Sequence, residues 1–457
     1  MHSALRIEVR QFIDEQRFSP FQWRVLILCF LIAALDGLDT AAIGFVAPML
    51  TRAFNVSREA LAPTLSAALI GFAVGAFIAG PLADRVGRRT LTIASVAAFG
   101  GFCLLSGLSN SLTTLVVLRF FTGVGLGAAM PNATALTSEY SPLRSRSLLI
   151  TAMFCGFTLG SAGGGFIAAG LIPAFGWRSV LYAGGILPLL GIPLLLAWLP
   201  ESVRFLVSSG TQNGVQRAGE ILRRIAPKAV PEDATFYLDE GEADQKAAPT
   251  SFLFSSGRGL GTLLLWLAFF MGLLVIYLLV SWLPMIISDA GFSIGEAARV
   301  GALWQIGGTV GALLVSWAMD RTEPHLAIAT SYILGAGFIY WASHAHNSLL
   351  LISLGITGAG FCVSGAQTSM NALAAVYYPT RGRATGISWM LGVGRFGAIA
   401  GAMFGGVLMA AAGSLDSMMA VLAVPILTAG LAVAAKGKFA RPNLPTNAFP
   451  AVQDAHQ

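Results

Sequence analysis

Four ionisable residues stand in stretches of sequence that are otherwise hydrocarbon. Asp36 and Asp39 interrupt the apolar run from Val25 to Val46, as Asp36-Gly37-Leu38-Asp39. Arg119 and Arg395 interrupt two later runs. A charge at membrane depth is costly, so it faces a partner, a water-filled path or a cargo. Residues three apart on a helix point to one side, so Asp36 and Asp39 share a face. Burial raises a carboxylate's pKa and a nearby arginine lowers it. A carboxylate that moves between those two settings takes up and releases a proton, so Asp36 and Asp39 are the candidate proton-coupling residues. Arginine offers a planar fork that matches a carboxylate, so Arg119 and Arg395 are candidates for holding an anion. Either arginine could instead pair with the aspartates, and Arg119, only a few residues into its run, could snorkel.

The elements that carry these residues are membrane spans. The chain has 457 residues, 55% hydrophobic and 11% charged, against roughly 25% charged in soluble domains. Apolar runs of about 20 residues predict twelve spans, at 24–48, 61–82, 89–108, 113–137, 147–172, 179–199, 259–287, 296–319, 325–343, 349–375, 384–411 and 415–436. The expected fold is an all-α membrane protein of two six-helix halves: an N-terminal tail 1–23, a first half 24–199, a polar central loop 200–258, a second half 259–436 and a C-terminal tail 437–457. The net charge of +6 comes from Arg and Lys clustered between spans, which sets membrane orientation and gives no case for a nucleic-acid partner. Basic residues follow spans 2, 4, 8 and 10, and both tails are basic, so the tails and central loop are expected to be cytoplasmic. No cleavable signal is expected in the polar stretch ahead of the first span.

The halves repeat. Tyr140-Ser141-Pro142-Leu143-Arg144-Ser145-Arg146 is echoed by Tyr377-Tyr378-Pro379-Thr380-Arg381-Gly382-Arg383, with Pro379 in the place of Pro142. Asp84-Arg85 is echoed by Asp320-Arg321, at an offset that differs from the first by a single position. Repeated six-helix halves are a transporter architecture, with the cargo near midplane between them. The four cysteines lie within apolar runs and read as packing residues. The Gly-rich stretch Gly156 to Gly165 lies inside a span, which excludes a phosphate loop and leaves a face for close helix approach. His and Cys residues form no metal-binding pattern, and no catalytic constellation suggests an enzyme.

Gly80-Pro81-Leu82-Ala83-Asp84-Arg85-Val86-Gly87-Arg88-Arg89 resembles the signature loop of the major facilitator superfamily. Arg119 to Gly127 resembles its fourth-span motif, and Pro200-Glu201-Ser202-Val203-Arg204-Phe205 the motif closing the sixth span in its sugar- and acid-porter branches. Asp36 to Asp39, Met130 to Tyr140 and Arg383 to Gly397 resemble the aromatic acid:proton symporter family. The likeness spans about residues 10–436. It implies uptake of a hydroxybenzoate, such as 4-hydroxybenzoate or protocatechuate, with protons across a bacterial inner membrane. The implied protein is a monomer, with protons as coupling ion, lipid around it and no other cofactor. The second half departs from the signature: Asp320-Arg321-Thr322-Glu323-Pro324-His325 lacks the Gly-Arg-Arg ending.

The resemblance also implies a gate on the cytoplasmic side. Its charges would be Asp84, Arg85, Arg88, Arg89, Glu139, Arg144, Arg146, Glu201, Arg204, Arg381 and Arg383, latched by salt bridges in the outward-facing state. Within the spans, Asn132, Gln305, Gln367 and Asn371 are candidates to hydrogen-bond phenolic hydroxyls. Trp389, with Trp304, Phe361 and Phe396, is a candidate to stack on a ring. For any one of these, packing is the competing explanation. The rival functions are a sugar or other organic-acid porter, an export antiporter and a membrane sensor of aromatic acids. Intramembrane arginines argue against a neutral sugar. The Gly-rich fifth span lacks the proline of an antiporter pattern. A sensor would carry a signalling domain, for which neither the loop nor the tail leaves room.

Overall fold

The computed structural model describes residues 6–227, 229–231, 234–238, 250–255, 257–345, 348–412 and 415–439. Fifteen α-helices follow in order among them: α1 (Val9–Glu15), α2 (Pro20–Phe54), α3 (Ala62–Val86), α4 (Arg88–Gly107), α5 (Leu112–Glu139), α6 (Arg146–Phe175), α7 (Arg178–Trp198), α8 (Val203–Ser208), α9 (Gln212–Ile225), α10 (Gly259–Asp289), α11 (Ile294–Met319), α12 (Pro324–Ser343), α13 (Leu349–Tyr377), α14 (Thr380–Ala412) and α15 (Leu415–Phe439). Twelve of these, α2 to α7 and α10 to α15, are long and apolar enough to cross a membrane. They match the twelve predicted runs and extend beyond several of them: the first span runs 20–54, not 24–48. An even number of crossings places both tails on one side, called here the tail side.

Local chemistry sets the breaks between helices. Gly87 has φ +91°, a value that side-chain-bearing residues avoid, and it separates α3 from α4 within the signature loop. Ser111 caps α5 by accepting from Thr114 N, Ser293 and Glu296 form a capping box at α11, and Glu323 caps α12 with Pro324 in its first turn.

By packing, the chain forms two compact units: residues 1–40, 70–160 and 181–244, and residues 41–69, 161–180 and 245–457. In the first, α2 crosses α6 and α3 crosses α5 at glycines. Gly160 lies against the Ala34 carbonyl, Gly71 against that of Phe120 and Gly75 against that of Val124, where any Cβ would overlap backbone. In the second unit, α10 meets α14 and α11 meets α13 the same way: Gly397 lies against the Phe270 carbonyl, Gly307 against that of Thr357 and Gly311 against that of Phe361. Each second-unit residue follows its first-unit counterpart at one of the two offsets that relate the sequence motifs. The repeat is therefore one of helix crossings as well as loops, with small residues allowing the backbones to approach. The second unit also contains the α2 segment beyond Thr40, whose Phe45 ring packs on Gly301 of α11.

The tail and central loop hold more structure than their polarity suggests. Arg6–Glu8 forms strand β1 and pairs in parallel with strand β2, Thr235–Tyr237. Ile7, Val9, Phe12 and Ile13 of the tail and Ala218, Leu222, Ile225 and Phe236 of the loop share one core with Phe21, Val25, Leu195 and Leu199 at the helix ends. In α9 the buried residues Gly214, Ala218, Leu222 and Ile225 recur at helical spacing, so this helix is amphipathic and lies on the bundle.

Candidate functional site

The ionisable centre of the first unit is built by three helices. Asp39 of α2 and Arg119 of α5 are both wholly buried. Arg119 Nη1 donates to Asp39 Oδ1 at 2.9 Å and Nη2 to Oδ2 at 2.8 Å, a two-point fork. Arg119 Nη2 also reaches the Asp39 carbonyl at 3.3 Å. Cys103 of α4 closes a third side, its Sγ 3.8 Å from Nη1. Arg119 thus turns inward and does not snorkel. Asp36, one turn before Asp39 and 1% exposed, accepts from Thr40 Oγ1 at 3.1 Å. Gly37 between the aspartates lies against the Phe157 carbonyl of α6, so α2 is held close at the level of the carboxylates. A buried ion pair gains little net stability, but removing one partner strands a charge.

The other predicted binding residues separate by environment. Gln305 donates to Ser161 Oγ at 2.8 Å and lines a cavity of about 10 Å³ with Ala41, Phe45, Leu279, Leu283 and Trp304, space for about one water. Trp304 is 1% exposed, and its indole N–H has no acceptor among the described residues. Gln367 is held from two sides: Tyr332 donates to its Oε1 at 2.7 Å, and its Nε2 reaches the Phe269 carbonyl at 3.3 Å. Asn132 donates back to the Ala128 carbonyl of its own helix at 2.8 Å. Asn371, which is exposed, does likewise to Thr368. Trp389 is exposed and stacks on Trp266 with centroids 5.8 Å apart. Phe396 is exposed, Phe361 half-buried and Arg395 half-buried on α14.

Four of the gate candidates of the first unit, Arg88, Arg89, Glu139 and Glu201, form a connected network. Arg88 Nη1 lies 2.9 Å from Glu139 Oε1, and Ser202 donates to Glu139 Oε2. Glu201 Oε1 accepts from the backbone N–H of Arg89 at 2.9 Å and of Ser202 at 2.8 Å. The Arg89 side chain caps the end of α7, donating to the Leu199 and Leu196 carbonyls. The buried Tyr140 hydroxyl donates to the Glu201 carbonyl at 2.6 Å, and its burial holds the phenol pKa well above the ordinary value. Arg144 reaches the Gln16 carbonyl, and Arg146 reaches the Ser141 carbonyl and lies 3.7 Å from Asp14. Asp84 and Arg204, with Arg88 and Glu139, line a cavity of about 800 Å³ that Glu8 and Arg10 also border. Arg85 and Arg383 are exposed, and the side chain of Arg381 lies outside the described residues.

Sequence reasoning missed Cys103, Thr40, Tyr332 and Ser161 as partners of the site, and Asp14 as a partner of Arg146. A hydroxyl or thiol in an apolar span gives no periodic signal that distinguishes it from packing.

The family model described as Major Facilitator Superfamily matches residues 29–358. The chain is 49% identical to the 4-hydroxybenzoate transporter PcaK of Pseudomonas putida over 94% of its length and 96% of the relative's. It is 46% identical to the gallate transporter of Pseudomonas putida, covering 94% and 95%. Identity to the 3-(3-hydroxy-phenyl)propionate transporter of Escherichia coli is 36%, covering 89% and 92%. Among solved structures, the inward open xylose transporter XylE of E. coli superposes with a TM-score of 0.71 at 18% identity, covering 94% of this chain and 98% of that one. The repeated helix crossings, the twelve spans and the signature loop agree with these likenesses, and the chain belongs to the Major Facilitator Superfamily of membrane transporters.

Proposed function

We propose that the protein imports a hydroxybenzoate-class aromatic acid together with protons across a bacterial inner membrane, its tails and central loop in the cytoplasm. The relatives named above support the substrate class, since two of them, 49% and 46% identical, are called a 4-hydroxybenzoate and a gallate transporter. The observation that carries the mechanism is the buried two-point Asp39–Arg119 pair with Asp36 one turn away. An entering carboxylate loses hydration and needs a fixed cation. Arg119 presents one, already occupied by a carboxylate of the same shape. Protonation of Asp39 frees the fork, and the substrate carboxylate takes the vacated place. Asp36, one turn away, is placed to pass the proton to or from Asp39. The guanidinium is then never left buried alone, and proton and anion travel together.

In this reading the halves 24–199 and 259–436 alternate access around the cargo. The Arg88–Glu139–Ser202–Glu201 network latches the cytoplasmic end of the first half. Arg395, Gln305, Gln367, Asn132, Asn371 and Trp389 supply ring and hydroxyl contacts or their support, and a monomer suffices. Purified protein in liposomes tests this. Labelled 4-hydroxybenzoate should accumulate under an imposed inward proton gradient, a protonophore should abolish accumulation, and the methyl ester, lacking the anion, should compete weakly. Accumulation that ignores the protonophore would remove the coupling.

A further inference from the structure

The second half lacks the arginines that close the signature loop, and its structure shows what stands there instead. His325 takes the place of Arg89, at the offset that carries Asp84 to Asp320. Its Nδ1 lies 2.9 Å from Glu323 Oε1, and its Nε2 lies 3.1 Å from Nζ of Lys436, near the end of α15. Lys436 is 1% exposed. Its ammonium also lies 3.9 Å from the centre of the Tyr377 ring at the end of α13, a cation–π contact. Gly437 leaves room for the imidazole, because any Cβ there would overlap it. Compared with the first half the polarity is inverted. There, arginines on the loop meet carboxylates; here, a carboxylate and a histidine on the loop meet a cation on the last span.

Hydrogen-bond chemistry fixes the protonation pattern of this chain. With Lys436 as an ammonium, which only donates, Nε2 of His325 is the acceptor and Nδ1 carries the hydrogen given to Glu323. The chain Glu323–His325–Lys436 therefore closes with a neutral imidazole, one carboxylate and one ammonium. A further proton on Nε2 removes the only lone pair facing Lys436 and sets two cations side by side in a buried place. Glu323, 2.9 Å from Nδ1, balances one of the two cations and not both, and the other ionisable groups around them do not supply the second negative charge. Tyr377 and Tyr378 on the α13 side are neutral. Arg258, capping α10, is turned onto Phe252 and Ser255. Arg321 lies on Trp317. Lys438 on α15 itself lies over Phe439.

We infer that Glu323, His325 and Lys436 form a proton-binding site separate from the Asp36–Asp39–Arg119 centre, a clasp that joins the tail-side ends of α12 and α15 when His325 is neutral and opens when His325 takes a proton. Histidine is the side chain whose charge ordinarily changes between about pH 5 and pH 8. The closed state binds one proton fewer, so closure is favoured as pH rises and lost as pH falls. In a proton-driven importer, the clasp makes the second half sensitive to acidification on the tail side. It lies at the helix ends, remote from midspan, so opening slows the conformational cycle and leaves substrate affinity unchanged.

Hydrogen exchange read by mass spectrometry on the purified full chain tests the clasp without reference to any substrate. After correction for the intrinsic pH dependence of exchange, protection of 430–439 and 321–330 should fall about tenfold between about pH 7.5 and about pH 5.5. In His325→Gln, whose amide keeps both hydrogen bonds but does not titrate, it should stay level. Lys436→Met, which removes the second cation, should likewise show no acid step, and it serves if the glutamine variant does not fold. Equilibrium exchange of 4-hydroxybenzoate with equal pH on both sides adds a functional readout: the parent should lose Vmax on acidification, with KM unchanged, relative to His325→Gln. An acid step of the same size in the parent and in both variants would overturn the inference. So would its absence in the parent. Neither result would touch the uptake reading, which rests on the Asp39–Arg119 pair.

Discussion

The two halves share their helix crossings and differ in what they bury at them. In the first half, Asp39 and Arg119 form a charged pair at the meeting of α2, α4 and α5. The positions reached by the repeat offsets in the second half are Val275 and Ile356, both wholly buried and apolar. Gly71, Gly75 and Gly160 nevertheless have their counterparts in Gly307, Gly311 and Gly397, against matching carbonyls. Backbone approach is thus kept through the repeat, while the buried charged pair at these positions is present in the first half and replaced by apolar residues in the second. The tail-side ends differ in a second way: arginines and glutamates around Arg88 and Glu139 in one, a histidine and a buried lysine in the other. A scaffold set by glycine contacts tolerates either, because its packing does not depend on which polar groups fill the corners.

The largest expected effect comes from giving the first half the residues of the second. Arg119→Ile alone strands the Asp39 carboxylate and should cost about 3–5 kcal/mol of stability and all accumulation. Combining it with Asp39→Val should recover most of the thermal stability while uptake stays absent. A double variant as unstable as the single one would show that the pair holds the fold, and the comparison would break.

Next come the paired glycines. Gly160→Val and Gly397→Val place side chains against the Ala34 and Phe270 carbonyls. Each should lower stability by about 1–3 kcal/mol through overpacking. Thermal unfolding in detergent checks whether the twins match. A large loss at one and none at the other would mean that the repeat is geometric without being energetic.

A smaller effect is expected at the latch. Arg88 and Glu139 are about a fifth exposed, so solvent screens them partly. Glu139→Gln should reduce Vmax for 4-hydroxybenzoate several-fold and leave KM within about twofold, which initial-rate uptake separates. A raised KM at unchanged Vmax would move Glu139 from gate to binding site. The smallest effect belongs to Arg58 and Asp289, 3.0 Å apart in the second unit but 46% and 36% exposed. Asp289→Asn should shift stability by about 1 kcal/mol or less, measured in the same unfolding assay.

Much of this was legible in the sequence for reasons that can be named. Spans follow from length and hydropathy, and the shared face of Asp36 and Asp39 from helical spacing. Arg119 was recognisable as an intramembrane cation and the aspartates as one option for its partner, but which arginine meets which aspartate was not: spacing within one helix does not reveal which helix lies opposite. The ring-facing residues were harder still, because a span is apolar on all sides and its pattern does not mark the face toward lipid. Trp389 and Phe396, which are exposed, and Trp304, which is buried, look alike in sequence. Nothing in the sequence around Lys436, a basic residue at the end of a span, marks it as enclosed. Only packing of α15 on α12 shows it to be enclosed.

The pairing of β1 with β2 bears on the order in which the molecule is made. Parallel strands need a long crossover, and here the crossover comprises six spans. Residues 6–8 therefore wait for their partner strand until Tyr237 has been synthesised. Until then Ile7, Val9, Phe12 and Ile13 lack the loop half of their shared core. The strand pair is a fastener that closes only after the six spans between its two strands have been synthesised. A gene split after Trp198 would yield a first piece with that fastener open, whereas a split after Leu238 would include both strands.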